Sequence, residues 1–189
     1  MTAPLAVVKV GGGLSATPGA LDTVGRALAQ AGHRYRILVV PGGGPFADQV
    51  RAFQQRDRLS SDAAHWMAIL AMDQYAHVLV ERIPGAVLVE APGAIAGGIG
   101  PAGVAVLAPY QWMRSADVLP HAWGATSDSV AAFVAGALDA AQLILVKPVD
   151  GAAPELTDAC FDSVKPVGLR CAVFGWQRIG ELEWVLERG

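Results

Sequence analysis

The chain has 189 residues, of which 53% are hydrophobic and 16% are charged. That length and composition suit one folded domain with a sizeable core and exclude a disordered chain. The net charge of −3 indicates no basic surface for nucleic acid, so a polyphosphate would have to be bound by local cations and backbone N–H groups. We therefore expect a single domain over residues 1–189 and no nucleic-acid partner.

The predicted location of the protein follows from its cysteines and its apolar runs. Cys160 and Cys171 form neither a CxxC motif nor a Cys/His metal pattern, which is typical of a reduced, cytoplasmic protein. The N-terminus lacks a basic segment followed by an apolar one, so we expect no signal peptide. No apolar run approaches the roughly 18 residues of a membrane span without Gly, Pro or a charge, so we expect no membrane partner.

Apolar runs alternate along the chain with segments of helical periodicity. The predicted strands are residues 6–10, 37–40, 87–89, 104–107, 143–146 and 172–174. The predicted helices are residues 17–31, 45–55, 61–80, 126–138 and 177–187, with Ser60 or Ser61 as the cap of the third. Residues 92–103 are rich in Gly, Pro and Ala and predict a loop. Strands alternating with helices predict an α/β fold with a mainly parallel sheet covered on both faces.

Lysines and glycines gather at the carboxyl ends of the predicted strands, where ligands of such sheets bind. The chain has three lysines, and two of them, Lys9 and Lys147, lie at strand ends. A buried ammonium group is costly unless it is paired or used, although a lysine at a strand end can also reach solvent by snorkelling. Because both lysines stand beside glycine-rich turns, we interpret them as functional.

Glycine runs follow the first two strands. They are Gly11, Gly12 and Gly13 after the first strand, and Gly42, Gly43 and Gly44 after the second. Such runs let backbone N–H groups approach a phosphate closely, whereas one run alone could be a tight turn that needs positive φ. Two runs on neighbouring parallel strands predict two phosphate sites that face each other.

Asp128 lies in the first turn of the predicted helix 126–138. Its carboxylate could simply complement the helix dipole or cap the helix. Alternatively, it could hold Lys9 and Lys147 in position, because a carboxylate between two ammonium groups keeps both charged. Phosphoryl transfer needs positioning and cations around the transferred group. Two lysines, two glycine runs and one aspartate meet that need, with Mg²⁺ arriving with the nucleotide and no separate metal site in the protein.

Four motifs, in this order, resemble those of the amino acid kinase family, which includes acetylglutamate, aspartate, carbamate, uridylate and isopentenyl phosphate kinases. They are VKVGG at 8–12, PGGG at 41–44, TSDS at 126–129 and LVKPVDG at 145–151. The resemblance implies a three-layer αβα sandwich that uses ATP and Mg²⁺ to phosphorylate a small-molecule phosphate acceptor. It also implies a homo-oligomer, either a dimer or a hexamer.

The resemblance carries roles to individual residues as well. Lys9 and Lys147 would stabilise the transferred phosphoryl group, and Asp128 would organise them. The implied nucleotide-binding residues are Gly11, Gly12, Gly13, Ser127, Val149, Asp150 and Gly151. Pro148 departs from the aspartate that relatives often carry at this position. The short region after Gly151 indicates an adenine pocket that is abbreviated or shared with a partner chain.

The acceptor is predicted by comparison within the family. Uridylate kinases carry an aspartate on the long helix where this chain has His65, which counts against UMP as the acceptor. Isopentenyl phosphate kinases place a histidine soon after the second glycine run, where residues 45–48 read PFAD. Segments 42–51 and 64–69 instead resemble a short uridylate-kinase-like branch associated with methanofuran-type one-carbon cofactors. Members of that branch convert [5-(aminomethyl)furan-3-yl]methyl phosphate to its diphosphate.

Side chains after the second glycine run fit such an acceptor. Arg51 could clamp its phosphate bidentately, and Asp48 and Asp62 could meet its ammonium group. His65 could line an aromatic pocket or pack in the core. Each of the charged residues could equally be a solvated surface residue. The predicted acceptor-binding residues are Gly42, Gly43, Gly44, Asp48, Arg51, Asp62 and His65.

Other functions fit the sequence less well. Residues 11–16 match a loose GxGxxA dinucleotide-binding pattern, but no helix is predicted to open there and the second strand ends in Pro41 without an acidic residue. A Walker-type NTPase is excluded because the chain has no GxxxxGK[ST] motif. A nucleotide-binding storage or regulatory module without turnover is the alternative from another class, because a fold does not fix a function.

Overall fold

Six parallel strands form one sheet in the computed structural model, which describes residues 4–151 and 153–188. The strands are β1 (Leu5–Val10), β2 (Arg36–Pro41), β3 (Val87–Val89), β4 (Gly103–Leu107), β5 (Gln142–Lys147) and β6 (Arg170–Gly175). Their spatial order is β3-β4-β2-β1-β5-β6, and all neighbours are parallel. The predicted α/β class is confirmed, and the sheet is parallel throughout rather than mainly parallel.

Helices cover both faces of the sheet. They are α1 (Ala20–Gly32), α2 (Gly44–Asp57), α3 (Ser61–Arg82), α4 (Pro92–Ile99), α5 (Tyr110–Ala116), α6 (Ser127–Ala137), α7 (Ala153–Leu156), α8 (Phe161–Val164) and α9 (Leu182–Glu187). Two 3-10 helices, Gly12–Ala16 and Trp176–Glu181, follow β1 and β6. The second replaces the first half of the helix predicted over 177–187. Ser60 caps α3, because its Oγ accepts a hydrogen bond from the Ala63 backbone N–H at 3.1 Å.

Alternate residues of the central strands enter two separate apolar cores. Val7, Leu143 and Leu145 pack on the face covered by α6, whereas Val8 and Ile144 pack on the face covered by α1. These side chains are fully buried, as expected for parallel strands that are covered on both sides. Successive side chains of a strand point to opposite faces. The two-residue period therefore decides where a polar residue at a strand end will lie.

Both strand-end lysines fall on the α6 face of the sheet for this reason. Lys9 follows Val7 by two residues in β1, and Lys147 follows Leu145 by two residues in β5. The strands are neighbours, with Lys9 opposite Leu145. The register thus brings the two ammonium groups to one edge and one face of the sheet, where α6 begins.

The loop predicted over residues 92–103 is wrong, because residues 92–99 form α4. Pro92 lies in the first turn of that helix, where a proline is well tolerated. Ile95 and Ile99 are four residues apart and only 2% exposed, so they anchor one helical face in the core. Gly100 ends the helix with a φ of 61°. Burial of the two isoleucines outweighs the low helix propensity of the Gly-rich segment.

Helix α5 had no counterpart among the predicted elements. Asp73, on α3, accepts a hydrogen bond from the backbone N–H of Tyr110 at 2.9 Å and so caps the start of α5. Met113 is 1% exposed and anchors the helix. A seven-residue helix is too short to be stable by itself, so tertiary contacts stabilise it.

Two further expectations concern the chain as a whole. The predicted single domain of 1–189 includes residues 1–3, 152 and 189, which lie outside the described residues, and single-domain organisation stays a prediction. Within the described ranges, no helix is both long and apolar enough to cross a membrane.

Candidate active site

Lys9, Asp128 and Lys147 form a buried ionic bridge at the carboxyl ends of β1 and β5. The Lys9 Nζ lies 2.9 Å from Asp128 Oδ1, and the Lys147 Nζ lies 2.6 Å from Asp128 Oδ2. The three residues are 4%, 4% and 6% exposed, in chain order. We call this arrangement the lysine bridge. The register of β1 and β5 brings the two lysines together, and the first turn of α6 carries the carboxylate.

Burial and charge act in opposite directions on the bridge. Burial alone would raise the pKa of Asp128, but the two ammonium groups outweigh it and lower that pKa. Burial lowers the pKa of Lys147, as does the charge of Lys9, while Asp128 opposes both. Two ammonium groups and one carboxylate give the bridge one net positive charge in a buried place, and the Asp158 carboxylate offsets it only in part. Such a charge is costly without a partner, so the bridge favours the approach of an anion.

The two glycine runs contact each other through their backbones beside the bridge. Gly11 donates its N–H to the Val146 carbonyl, and Gly42 donates its N–H to the Val10 carbonyl, both at 2.9 Å. A Cβ atom added to Gly12 would overlap the backbone of Gly44, and one added to Gly42 would overlap the backbone of Gly12. The close approach therefore requires glycine at these positions.

Each glycine run also leads into the start of a helix. The first run enters the 3-10 helix Gly12–Ala16, and the second enters α2 at Gly44, which has a φ of 55°. The first turn of a helix leaves backbone N–H groups without partners inside the helix. Those donors, next to the net positive charge of the bridge, fit the oxygens of a polyphosphate. Pro148 lies against the first run, since a Cβ on Gly13 would meet its ring at 2.8 Å.

Asp158, which the sequence motifs did not identify, fixes the start of α6. One of its carboxylate oxygens accepts hydrogen bonds from the backbone N–H of Thr126 at 2.8 Å and of Ser129 at 3.0 Å. The hydroxyl groups of Thr126 and Ser129 also donate to this carboxylate. Asp158 thus replaces the missing side-chain cap of α6, and it holds the turn that carries Asp128. A cap from 29 residues away in the chain leaves no local sequence signal.

A cavity of about 470 Å³ opens beside the glycine runs, between α2, α3 and residues 122–127. Ser127, which lines it, directly precedes Asp128. At its wall, the Arg51 guanidinium lies 4.3 Å from the ring centre of Trp123 and 3.7 Å from Asp48. The cavity has the volume of a small-molecule site.

A cluster of rings and carboxylates stands behind one side of this cavity. The His65 ring, which lines the cavity, stacks on the His121 ring with 4.1 Å between centroids and 15° between planes. Trp66 meets both rings edge-on. Asp62 and Asp117 lie 2.6 and 2.9 Å from the two ring nitrogens of His121. We call these five residues the histidine wall.

Comparison with known proteins shows the family of the chain. The model of the amino acid kinase family matches residues 4–100, just over half of the chain. The chain belongs to the amino acid kinase family. One relative in that family is [5-(aminomethyl)furan-3-yl]methyl phosphate kinase of Methanocaldococcus jannaschii. It is 30% identical over 145 residues, which cover 77% of this chain and 66% of the relative. The match therefore spans slightly less than two thirds of that relative's length.

Three solved structures of similar fold are uridylate (UMP) kinases. The enzyme of Archaeoglobus fulgidus has a TM-score of 0.61 and 19% identity, over 82% of this chain and 68% of that one. The enzyme of Bacillus anthracis has a TM-score of 0.67 and 11% identity, over 100% and 94%. That of Ureaplasma parvum has a TM-score of 0.67 and 14% identity, over 98% and 96%. At these identities the likeness concerns the fold, and it confirms the αβα architecture expected of the amino acid kinase family.

The structure brings most of the predicted site residues to one edge of the sheet. Those that line the cavity are Gly13, Gly43, Gly44, Asp48, Arg51, His65 and Ser127. Asp62 does not line it, and its carboxylate contacts His121 instead. Its predicted contact with the acceptor ammonium stays a prediction, as do the roles of the other residues in this amino acid kinase fold.

The turn after β5 lies apart from the cavity lining. Asp150 accepts a hydrogen bond from the Gly175 N–H at 3.0 Å, which ties the ends of β5 and β6 together. That bond lowers the pKa of Asp150, and Arg178 adds to the shift. Val149 is 57% exposed, and Gly151 is exposed as well. The turn is therefore accessible from solvent.

Proposed function

We propose that the chain is an ATP-dependent kinase that transfers the γ-phosphoryl group to the phosphate of a small acceptor. The lysine bridge is the observation that carries this proposal, because it buries a net positive charge beside the two glycine runs. Lys9 and Lys147 stabilise the charge that develops on the transferred group. Asp128 keeps both ammonium groups charged and aimed at it.

The nucleotide is proposed to lie on the β5 side of the bridge. Gly11, Gly12 and Gly13 present N–H groups to its phosphates, and the turn of Val149, Asp150 and Gly151 lies along it, with Ser127 nearby. Mg²⁺ comes with ATP and neutralises charge on the phosphates. The protein's own contribution is position and fixed charge, which is most of what phosphoryl transfer needs.

The proposed acceptor is [5-(aminomethyl)furan-3-yl]methyl phosphate, which becomes its diphosphate in the synthesis of a methanofuran-type cofactor. The named activity of the Methanocaldococcus jannaschii relative supports this choice. So does the cavity, whose lining offers Arg51 for a phosphate, and Asp48 and His65 for an ammonium group. The acceptor phosphate is bound beside the bridge by the second glycine run, Gly42, Gly43 and Gly44.

Steady-state kinetics with MgATP and three acceptors in parallel tests the proposal. We expect the furan phosphate to give a kcat/KM at least about tenfold above those of UMP and isopentenyl phosphate, because a site built for one polar group rejects analogues that lack it. A higher kcat/KM with UMP would make the chain a uridylate kinase instead. ATP binding without ADP release on any acceptor would favour the nucleotide-binding module.

We also propose a location and an oligomeric state for the enzyme. It is a cytoplasmic homo-oligomer, either a dimer or a hexamer, as the family resemblance implies. Light scattering coupled to size-exclusion chromatography measures this state directly, and a mass of 19.6 kDa at micromolar concentration would contradict it.

A further inference from the structure

The charge of His121 follows from its two hydrogen-bond partners. Its Nδ1 lies 2.6 Å from an Asp62 oxygen, and its Nε2 lies 2.9 Å from an Asp117 oxygen. An ionised carboxylate accepts hydrogen bonds and donates none. Both ring nitrogens must therefore carry protons, which makes His121 an imidazolium. In agreement, the hydrogen bond to Asp117, joined by that to Asp62, raises the pKa of His121.

The charge of His121 in turn fixes the state of His65. The two rings are nearly parallel at 4.1 Å, so a second positive ring would face the first at contact distance. His65 is also 8% exposed, and burial disfavours a charged imidazole. Burial and the charge of His121 accordingly lower the pKa of His65. A neutral imidazole keeps one nitrogen lone pair as a hydrogen-bond acceptor.

The His65 ring has no hydrogen-bond partner of its own among residues 4–151 and 153–188, although it lines the cavity. The side chain is thus more than nine-tenths buried, fixed by the stack on one side, and free to bond a ligand. Buried polar groups in proteins generally have a hydrogen-bond partner, so a ligand in the cavity is the expected partner of His65.

The charged groups around the cavity are distributed unevenly. The histidine wall holds two carboxylates and one imidazolium, and so carries one net negative charge. On α2, Asp48 and Arg51 pair with each other at 3.7 Å, and on α5 the Arg114 guanidinium lies 4.4 Å from the Trp66 ring centre. The lysine bridge carries one net positive charge. With Arg114 counted, the wall and its neighbour carry no net charge, so an ammonium group there needs a hydrogen-bond acceptor, whereas the positive bridge attracts a phosphate.

We propose that His121 is a positioning residue that holds His65 as the neutral hydrogen-bond acceptor for the ammonium group of the acceptor molecule. The cavity then selects a small zwitterion and orients its phosphate toward the lysine bridge. This inference rests on the proposed function for the phosphate end of the molecule, and on the histidine wall for the ammonium end.

Calorimetric titration tests the ammonium contact without requiring turnover. The probes are [5-(aminomethyl)furan-3-yl]methyl phosphate and the analogue in which a methyl group replaces the aminomethyl group. We expect the intact protein to prefer the amine by about 10- to 100-fold, the range for one hydrogen bond to a charged group. His65→Ala and His121→Asn should each lose most of this preference. His33→Gln, at the exposed end of α1, is the matched histidine control and should keep the preference.

Nitrogen NMR of the ring nitrogens tests the protonation states. At pH 7 we expect two protonated nitrogens on His121 and one on His65, and His121→Asn should raise the pH at which His65 takes up its second proton. A purely structural His121 would leave that pH unchanged. A doubly protonated His65 at pH 7, or an undiminished amine preference in His65→Ala, overturns the inference.

The two proposals can fail separately. If the intact protein binds the amine selectively but turns over no acceptor, the proposed kinase activity is contradicted and the proposed ammonium contact of His65 is supported. If the furan phosphate and its methyl analogue are turned over with equal kcat/KM, the kinase activity is supported and the ammonium contact of His65 is contradicted.

Discussion

The lysine bridge and the histidine wall are held in place in different ways. The bridge is made of strand ends and one helix start, so its geometry follows from the register of β1 and β5. The wall combines α3 with residues that follow α5, and no element of regular structure holds His121. The two lysines of the bridge are positioned by the backbone, whereas the wall is positioned by side-chain contacts. Substitutions should therefore affect the bridge mainly through charge and the wall mainly through the packing of α5.

The largest effect is expected for Asp128→Asn, which leaves Lys9 and Lys147 buried without a carboxylate. Removing one member of a buried ionic group costs about 3–5 kcal/mol, and the two lysines then repel each other. We expect urea unfolding to show a loss of this size at pH 7. Asp162→Asn, at an exposed site on α8, is the control. An unchanged midpoint for Asp128→Asn would mean that charge does not hold the bridge together.

Lys9→Ala should leave the fold intact but slow the reaction. The Asp128–Lys147 pair that stays behind is neutral, so folding tolerates the change, while the transferred group loses one fixed positive charge. Loss of one such group costs about 10²- to 10³-fold in kcat. Lys165→Ala, which removes the remaining lysine of the chain, is the matched control and should keep its rate. A wild-type kcat for Lys9→Ala would contradict the proposed role of the lysine bridge in catalysis.

Asp158→Ala tests whether the start of α6 must be held for the bridge to work. The change removes the acceptor of hydrogen bonds from Thr126 and Ser129, and the loss of a helix cap costs about 0.5–2 kcal/mol. We expect a lower urea midpoint together with a lower kcat, because the turn that carries Asp128 loosens. Asp139→Asn, at the other end of α6, should affect neither. A stability loss at full kcat would make Asp158 a purely structural cap.

The smallest effect is expected at Asp73, which caps the helix leading to the wall. Burial raises the pKa of this carboxyl to about 6, and Glu90 adds to the shift. A raised pKa means that the folded state holds the proton more tightly, so the group's contribution to stability falls as pH rises from about 4 to about 6. Asp73→Asn keeps an oxygen for Tyr110 but cannot ionise. The variant should gain about 1–2 kcal/mol relative to the wild type between pH 4.5 and 7.5. A constant difference across that range, measured by urea unfolding, would contradict the shift.

Much of the fold could be predicted because its signals are local. Each central strand is a short apolar run, and its two-residue period places Lys9 and Lys147 on one face. Helix α4 could not be predicted from its Gly-rich composition, since burial of Ile95 and Ile99 stabilises it. Helix α5 depends on a cap from α3. Short elements of this kind draw their stability from tertiary contacts that no local window of sequence contains.

The candidate site divides in the same way. Its glycine runs and Asp128 stand in recognisable motifs next to predicted strands or helices. Asp158 and His121 do not, because Ser129 and Asp62, their partners on α6 and α3, lie 29 and 59 residues away along the chain. The contact between His121 and Asp117, four residues apart, lies beyond the end of α5. No spacing rule connects such positions. Asp117 and His121 carry no signal of their own in the sequence, and only the packing of α5 against α3 brings them to the wall.

The backbone contact between Gly12 and Gly44 joins the two glycine runs into one mechanical unit. If each run holds a phosphate, the distance between donor and acceptor phosphates is set when the chain folds, before either ligand arrives. Bringing two substrates together normally costs translational and rotational entropy in each catalytic cycle. Here the folding of the protein would already have fixed the relative position of the two phosphate sites, which lowers that cost. A single methyl group at Gly12 would spread the two runs, and with them the two reacting phosphates.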